Sequence, residues 1–311
     1  MKKWFLTVIF VLLSLSLFSC ADSKKVSKAK KAETKTESSA SKDTSSGDAE
    51  AEKKDDTPVS MKFRDVYGTV YKCDVNPEIP SNEYDNKNFV HNGDFLQYND
   101  DKYSSRMGID VSGHQGDIDF KKVKESGIDF VIVRVAYRGY GSKGLLCEDK
   151  YARQNIQEAS DAGLDVGVYV FSQAINEKEA EEEADMALSI IDGTEISLPV
   201  CFDPEHILLE DHSKNPDART SDVSEEQFTK NAAAFCNRVK EAGYTPMVYA
   251  NMLWEAFSLD LSQLKDIPVW YADYEKVPQT PYNFMFWQYY NKGKVPGVSG
   301  DCDMDIQMIN E

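Results

Sequence analysis

Basic residues are in short supply in this chain. Its 35 Lys and Arg stand against 53 Asp and Glu, a formal charge of −18 over 311 residues. Nucleic acids recruit basic patches to their phosphates, so an acidic chain of this kind is not built for them. Histidine is scarcer still: His91, His114, His206 and His212 show neither H-x-H nor H-E-x-x-H spacing, which disfavours a zinc hydrolase. Beyond Cys20 there are Cys73, Cys147, Cys201, Cys236 and Cys302, an odd number without a C-x-x-C pair. No metal site is therefore expected, and both disulfides and buried free thiols stay open. A long run of almost purely apolar residues occurs at the N-terminus, from Trp4 to Phe18.

That run follows Met1-Lys2-Lys3 and ends in Leu17-Phe18-Ser19-Cys20, the layout of a secretory signal. It resembles the lipobox of a bacterial lipoprotein, which implies lipidation at Cys20, a membrane anchor and an exported protein facing the cell wall. An uncleaved anchor or an ordinary signal peptide is the alternative, and either also exports the remainder. Removing Lys2 and Lys3 takes the charge to about −20. Bulk attraction to an anionic wall is then unavailable, so affinity for a wall polymer has to come from a shaped groove.

Residues 21–57 are Lys, Glu, Asp, Ser, Ala and Thr with Val26 as the one large apolar side chain, too little to offset ordering entropy. We expect a disordered tether, able to reach on the order of 100 Å when stretched at ~3.3 Å per residue. Residues 58–106 carry a strand or hairpin signal, Val66-Tyr67-Gly68-Thr69-Val70-Tyr71, and further aromatics. So short a segment makes a marginal core, so it is expected to dock on the larger domain C-terminal to it as an N-terminal extension.

From Met107 onward, strand-like and helical runs alternate. The strand candidates are Gly108 to Val111, Phe130 to Ala136, Val166 to Phe171, Leu198 to Phe202, Met247 to Ala250, Val269 to Ala272, Phe284 to Gln288 and Cys302 to Met308. Asn176 with Glu179 and Ser224 with Gln227 read as capping boxes, while Gly127, Gly163 and Gly243 sit where helices should end. Helices thin out after the fifth strand. The fold class is therefore α/β, an eight-stranded TIM-like barrel with an incomplete second half and its site at the strand C-termini. The acid-rich run Glu177 to Asp185 reads as a solvated helix face, with Ala180, Ala184, Met186, Ala187, Leu188, Ile190 and Ile191 on the buried side.

At the end of the fourth strand stands Asp203-Pro204-Glu205. Side chains alternate along a strand, so positions i and i+2 face one cavity together. Paired carboxyls in that position suit a glycosidase, where one acid donates a proton to the leaving oxygen and the other stays ionised beside an oxocarbenium-like centre. Asp110 at the end of the first strand, and Asp301, Asp303 and Asp305 on the last, fall at the same mouth. Tyr169, Tyr249, Trp270, Tyr271, Asp273, Trp287 and Gln288 are candidate substrate-binding residues, since flat aromatic faces stack on sugar rings and amides bind acetamido groups.

These motifs carry a resemblance. The segments GIDVSGHQGDIDF, GVYVFS, FDPE, MVYAN, VWYADY, FMFWQYYNKGKVPGVSG and DCDMD, in that order from Met107 to the C-terminus, are similar to those of a glycoside hydrolase family 25 lysozyme. The resemblance implies an irregular barrel of five βα units followed by three strands. It implies hydrolysis of the β-1,4 bond between N-acetylmuramic acid and N-acetylglucosamine in peptidoglycan glycan strands, with no cofactor; a monomer without metal is expected. Glu205 would be the general acid, Asp203 its partner, and Asp110 and Asp303 the other active-site acids. Residues 58–106 match only as a variable extension. Val170 departs from the pattern, standing where many relatives carry histidine or an aromatic residue.

Two other readings compete. A family 18 chitinase-like barrel also ends a strand in D-x-E, but places aspartates upstream where this chain has Cys201 and Pro199. A lipid-anchored wall-binding protein without turnover would have no need of the four acids. For the nucleophile, Asp203 itself or the substrate's own acetamido oxygen is available, and the D-x-E arrangement favours the acetamido route, with an oxazolinium-type intermediate.

Overall fold

The computed structural model describes residues 59–311. The signal segment with Cys20 and the tether through residue 57 lie outside the described residues. The chain enters through an antiparallel hairpin, β1 (Ser60–Arg64) and β2 (Val70–Asp74), followed by a second one, β3 (Phe89–Asn92) and β4 (Phe95–Tyr98). The strand or hairpin signal over Val66 to Tyr71 is the first hairpin's loop and the start of β2.

The barrel then follows in order: β5 (Tyr103–Val111), α1 (Phe120–Glu125), β6 (Phe130–Arg138), β7 (Leu146–Glu148), α2 (Ala152–Asp161), β8 (Asp165–Ser172), α3 (Glu177–Ile191), β9 (Val200–Pro204), α4 (Glu225–Glu241), β10 (Pro246–Asn251), α5 (Met252–Phe257), β11 (Val269–Ala272), β12 (Phe286–Gly293) and β13 (Cys302–Asn310). The hydrogen-bonded ring runs β5-β6-β8-β9-β10-β11-β12-β13 and closes from β13 onto β5, with β7 added outside on β6. Five βα units precede three strands. All neighbours in the ring are parallel except around β13, which runs antiparallel to both β12 and β5.

Local chemistry explains the boundaries. Asn176 accepts the Glu179 N–H at 3.0 Å while the Glu179 carboxylate accepts the Ile175 N–H at 3.1 Å, a reciprocal cap at the start of α3. Ser224 caps α4 through the Gln227 N–H, but the Gln227 amide turns to Glu177 and Asn231 instead of back to the cap. Gly163 and Gly243, just past α2 and α4, adopt φ of 77° and 88°, the left-handed conformation a helix end asks of glycine.

Strand alternation divides the core in two. Phe130, Ile132, Tyr169, Cys201, Met247, Tyr249, Trp270, Ala272 and Phe286 fill the barrel interior. The opposite faces, among them Val170, Phe202, Tyr271 and Trp287, pack outward against helices and the N-terminal extension. Room inside is tight at the bottom, where a Cβ on Gly108 would lie 2.1 Å from the Phe130 ring. Residues 59–102 lie against the barrel: Phe89 meets Trp287 edge-on at 5.2 Å, the Tyr84 hydroxyl donates to the Phe284 carbonyl, and Tyr289 donates to the Asp94 carbonyl. Cys73, Cys147, Cys201, Cys236 and Cys302 are all free thiols.

The acid-rich face of α3 is not entirely solvated. Glu183 is fully buried, 0% exposed, because Arg138 at the end of β6 reaches it with Nε at 2.7 Å. Arg138 also donates to the Gly144 and Glu179 carbonyls, and Arg219 binds the Glu179 carboxylate with two nitrogens at 2.7 and 2.8 Å.

Candidate active site

Parallel strands bring their C-terminal ends to one mouth, and antiparallel β13 delivers its first residues to the same mouth. Asp110 is the penultimate residue of β5 and pairs directly across the ladder with Asp303, the second residue of β13. Two residues deeper, Asp305 lies opposite Gly108 on one side and Gln288 on the other. Asp203 occupies the end of β9, and Glu205 follows immediately beyond it. Asp203 is 5% exposed, with no hydrogen-bond partner for its Oδ1 among the described residues.

Five carboxyls thus meet with little cationic compensation. Burial, and next the charge of Asp303, push Glu205 up to about 7, while the Tyr249 hydroxyl acts the other way. Burial and the charge of Glu205 hold Asp203 well above the usual carboxylate range, opposed by Arg134. Arg134 itself is occupied, gripping Asp149 at 2.7 and 2.8 Å. Burial raises Asp303 to about 6, with Asp301 adding to it. Burial and neighbouring carboxylates also keep Asp110 and Asp305 strongly raised. Burial and like charge therefore favour the protonated forms at this mouth, and ionisation of Asp203 is opposed by the charge of Glu205.

A small set of neutral groups orders this cluster. The Gln288 amide donates to Asp110 Oδ2 at 2.7 Å, and its oxygen accepts the hydroxyls of Tyr274 at 2.8 Å and Tyr249 at 3.3 Å. Below them, Trp270 donates from Nε1 to Asp305 at 2.8 Å while Tyr169 and Tyr249 meet its ring edge-on at 5.7 and 5.1 Å. A cleft of about 270 Å³ opens beside the cluster, bordered by Glu205, Tyr249, Trp254 and Tyr274 and, from the N-terminal hairpin, by residues 64–67.

Comparisons with known proteins bear directly on this arrangement. The model of glycosyl hydrolases family 25 matches residues 109–298, which include Asp110, Asp203 and Glu205. The chain belongs to family 25. It is 28% identical over 199 residues to an autolytic lysozyme of Clostridium acetobutylicum, covering 64% of this chain and 54% of that protein. Among solved structures, the modular autolysin LytC of Streptococcus pneumoniae, in complex with a synthetic peptidoglycan ligand, superposes with a TM-score of 0.56 at 25% identity, covering 79% of this chain and 56% of LytC. A family 25 glycosyl hydrolase of Bacillus anthracis shares the fold with a TM-score of 0.53 at 22% identity, over 70% of this chain and 94% of that one. The chain thus spans a little over half the length of the Clostridium and Streptococcus relatives.

Within this family 25 barrel, the seven candidate substrate-binding residues separate into groups. Tyr249 lines the cleft. Tyr169 and Trp270 are buried inside the barrel beneath the acids, as its floor. Gln288 faces the acids, yet its hydrogen bonds go to protein groups. Tyr271 and Trp287 point outward into the second core, Tyr271 stacked on Phe284 at 5.7 Å and Trp287 donating to the Asp273 carbonyl. They are not groove residues, because each neighbours an inward-facing residue on its own strand. Asp273 lines the cleft, but its carboxylate accepts from the Tyr271 hydroxyl and from the Glu275 and Gln279 N–H groups, so it organises a loop. Val170 also faces outward, so the departure from the family pattern there touches packing and not the cleft wall. Tyr274 joins the site without being among the candidates drawn from sequence, although its place two residues beyond Ala272 continues the inward alternation. Arg134 and the hairpin join it too, and their proximity depends on tertiary structure alone.

Proposed function

We propose that the protein is a peptidoglycan hydrolase, a muramidase that cuts the β-1,4 bond between N-acetylmuramic acid and N-acetylglucosamine. The observation that carries this reading is the gathering of Asp110, Asp203, Glu205 and Asp303 at one mouth of a family 25 barrel, with Glu205 raised to about 7. An autolytic lysozyme among the relatives, and LytC with its peptidoglycan ligand, support the substrate class.

Glu205 is the general acid, at the edge of the cleft where a glycosidic oxygen can reach it. Glu205 carries the proton, and the substrate's acetamido N–H donates to the ionised Asp203 carboxylate, which favours that charge state once substrate is bound. Transfer to the leaving oxygen then develops positive charge at the muramic acid C1. The acetamido oxygen attacks C1, Asp203 stabilises the resulting oxazolinium-type ring, and water activated by Glu205 opens it. Burial first and the charge of Asp303 next keep Glu205 protonated, and Gln288 fixes Asp110 opposite Asp303. No step requires a cofactor.

Residues 107–311 are the catalytic domain on this reading, with 58–106 as an extension, 21–57 as a tether and Cys20 as a lipid anchor that holds an exported monomer close to the wall. Mass spectrometry of digested peptidoglycan tests the function. New reducing ends on muramic acid support it; ends on N-acetylglucosamine, or binding without cleavage, refute it.

A further inference from the structure

The first N-terminal hairpin is too small to be stable alone, so something must fix it. On its inner side, Phe63 is buried, stacked on Tyr71 at 5.4 Å, and both rings pack against Phe257 of α5 at 6.2 and 6.1 Å. A polar seam completes the attachment. The Gln279 side chain accepts the Arg64 N–H and donates to the Arg64 carbonyl, each at 2.9 Å, imitating a strand pair. The same amide donates to Asp273 Oδ1 at 3.2 Å, tying the hairpin to the loop after β11.

The tip is fixed independently of its aromatic residue. Asp65 Oδ1 accepts the N–H groups of Tyr67 and Thr69 at 3.0 and 2.8 Å, and the Arg64 guanidinium donates to the Gly68 carbonyl at 2.9 Å. The Tyr67 ring is therefore not needed to hold the loop, and it is 49% exposed. It lies parallel to the His212 imidazole, 3.7 Å between centroids and 16° between planes. His212 sits in the long connection from β9 to α4 with φ of 66°, a left-handed backbone unusual outside glycine and costing about 1 kcal/mol. A strained residue of the loop that leaves Glu205 thus backs an aromatic face on the hairpin, and Tyr67 and Glu205 border the same cleft.

We propose that this hairpin is a wall of the glycan cleft and that Tyr67 is a stacking platform for a sugar ring beyond the pair flanking the scissile bond. The inference rests on the peptidoglycan-hydrolase reading and adds to it a binding subsite built by the N-terminal extension. A glycan strand is the fitting occupant because the cleft leads straight to Glu205, and because a flat, rigid aromatic face recognises the apolar face of a pyranose without needing charge. Backing by His212 restricts the ring before the sugar arrives, which lowers the ordering cost of binding.

The test compares soluble glycan fragments of four and eight sugars, prepared from peptidoglycan. In the parent protein the longer fragment has the higher kcat/KM. Tyr67→Ala should shrink that advantage roughly three- to tenfold, through KM, and Tyr67→Trp should restore it. An unchanged advantage in Tyr67→Ala, or an equal loss on both fragments, overturns the proposal. Should the parent protein cleave neither fragment, the functional reading falls, and binding of a fluorescent eight-sugar fragment to Glu205→Gln protein decides the subsite. Weaker binding when Tyr67→Ala is added sustains it; equal or no binding overturns it. Thermal melting of each variant verifies folding, since Asp65 and Arg64 hold the tip.

Discussion

Two sets of buried and half-buried carboxyls in this molecule have opposite surroundings. Around α3 and the β6–β7 side, buried Asp149 and half-buried Glu179 lie beside guanidinium groups and backbone N–H donors. Burial pushes both up, but the N–H groups and Arg134 at Asp149, and Arg219 with the Ile175 N–H and Arg138 at Glu179, outweigh it and hold each below the usual carboxylate range. At the barrel mouth, Asp110, Asp203, Glu205, Asp303 and Asp305 meet one another instead, and all are raised. The same side-chain chemistry serves as glue where cations and N–H donors outweigh burial and as a proton reservoir where they do not; Glu183 lies between, raised by burial to about 7 even with Arg138 at 2.7 Å. Removing a member of the first set should damage the fold, whereas removing one of the second should damage the chemistry.

The comparison breaks most sharply at Glu205. Glu205→Gln should reduce muramidase turnover by roughly a thousandfold with no loss of melting temperature, as expected for a general acid. Arg138→Ala is the counterpart in the paired set. It removes the hydrogen bonds to Glu183 and to the Gly144 and Glu179 carbonyls and leaves Glu183, already raised by burial to about 7, to take up a proton, and we expect destabilisation of about 3 kcal/mol, a fall in melting temperature on the order of 10 °C, with turnover of the folded fraction at low temperature little altered. Gln288→Leu removes the donor to Asp110 and the acceptor of two tyrosine hydroxyls, so kcat/KM should drop roughly tenfold or more while the fold survives.

The smallest effect sharpens the contrast through pH. Asp303, raised to about 6, binds its proton more tightly in the folded than in the unfolded chain. Its contribution to stability is therefore present below the ordinary carboxylate range and is lost as pH rises through about 6. Asp303→Asn should raise the melting temperature by a few degrees, about 2–4 °C, at pH 8 and not at pH 4. Asp149 has the opposite sign, since its depressed value gives stability at neutral pH that disappears on acidification. Asp149→Asn should accordingly lower the melting temperature at pH 7 and do so less at pH 3. Differential scanning fluorimetry across pH measures both.

Much of this architecture is legible in the amino-acid sequence. Hydrophobic runs locate all eight barrel strands, and capping residues such as Asn176 and Ser224 locate helix starts, because both signals are local. The convergence of Asp110, Asp203 and Glu205 is legible because parallel strand C-termini share one mouth, whereas Asp303 reaches it from the N-terminal start of antiparallel β13. Side-chain direction among adjacent residues is where the sequence misleads. Trp270 with Tyr271, and Trp287 with Gln288, are consecutive on one strand and cannot all face inward, so the period of two eliminates half of them as groove residues. Glu183 escapes notice for a different reason: its partner Arg138 lies 45 positions earlier, and a helix pattern rich in acids does not reveal which one is paired. The hairpin wall is invisible in sequence because Tyr67 and His212 meet only in the folded chain.

The most direct test that burial, together with the charge of neighbouring Asp303, keeps Glu205 protonated for catalysis is the pH dependence of kcat/KM on a soluble peptidoglycan fragment for the parent protein and Asp303→Asn. An alkaline limb near pH 7 is expected in the parent. In Asp303→Asn the limb should move to lower pH, because the negative charge that raises Glu205 is gone. Activity sustained well beyond pH 8, or a limb that stays in place when Asp303 loses its charge, would contradict it.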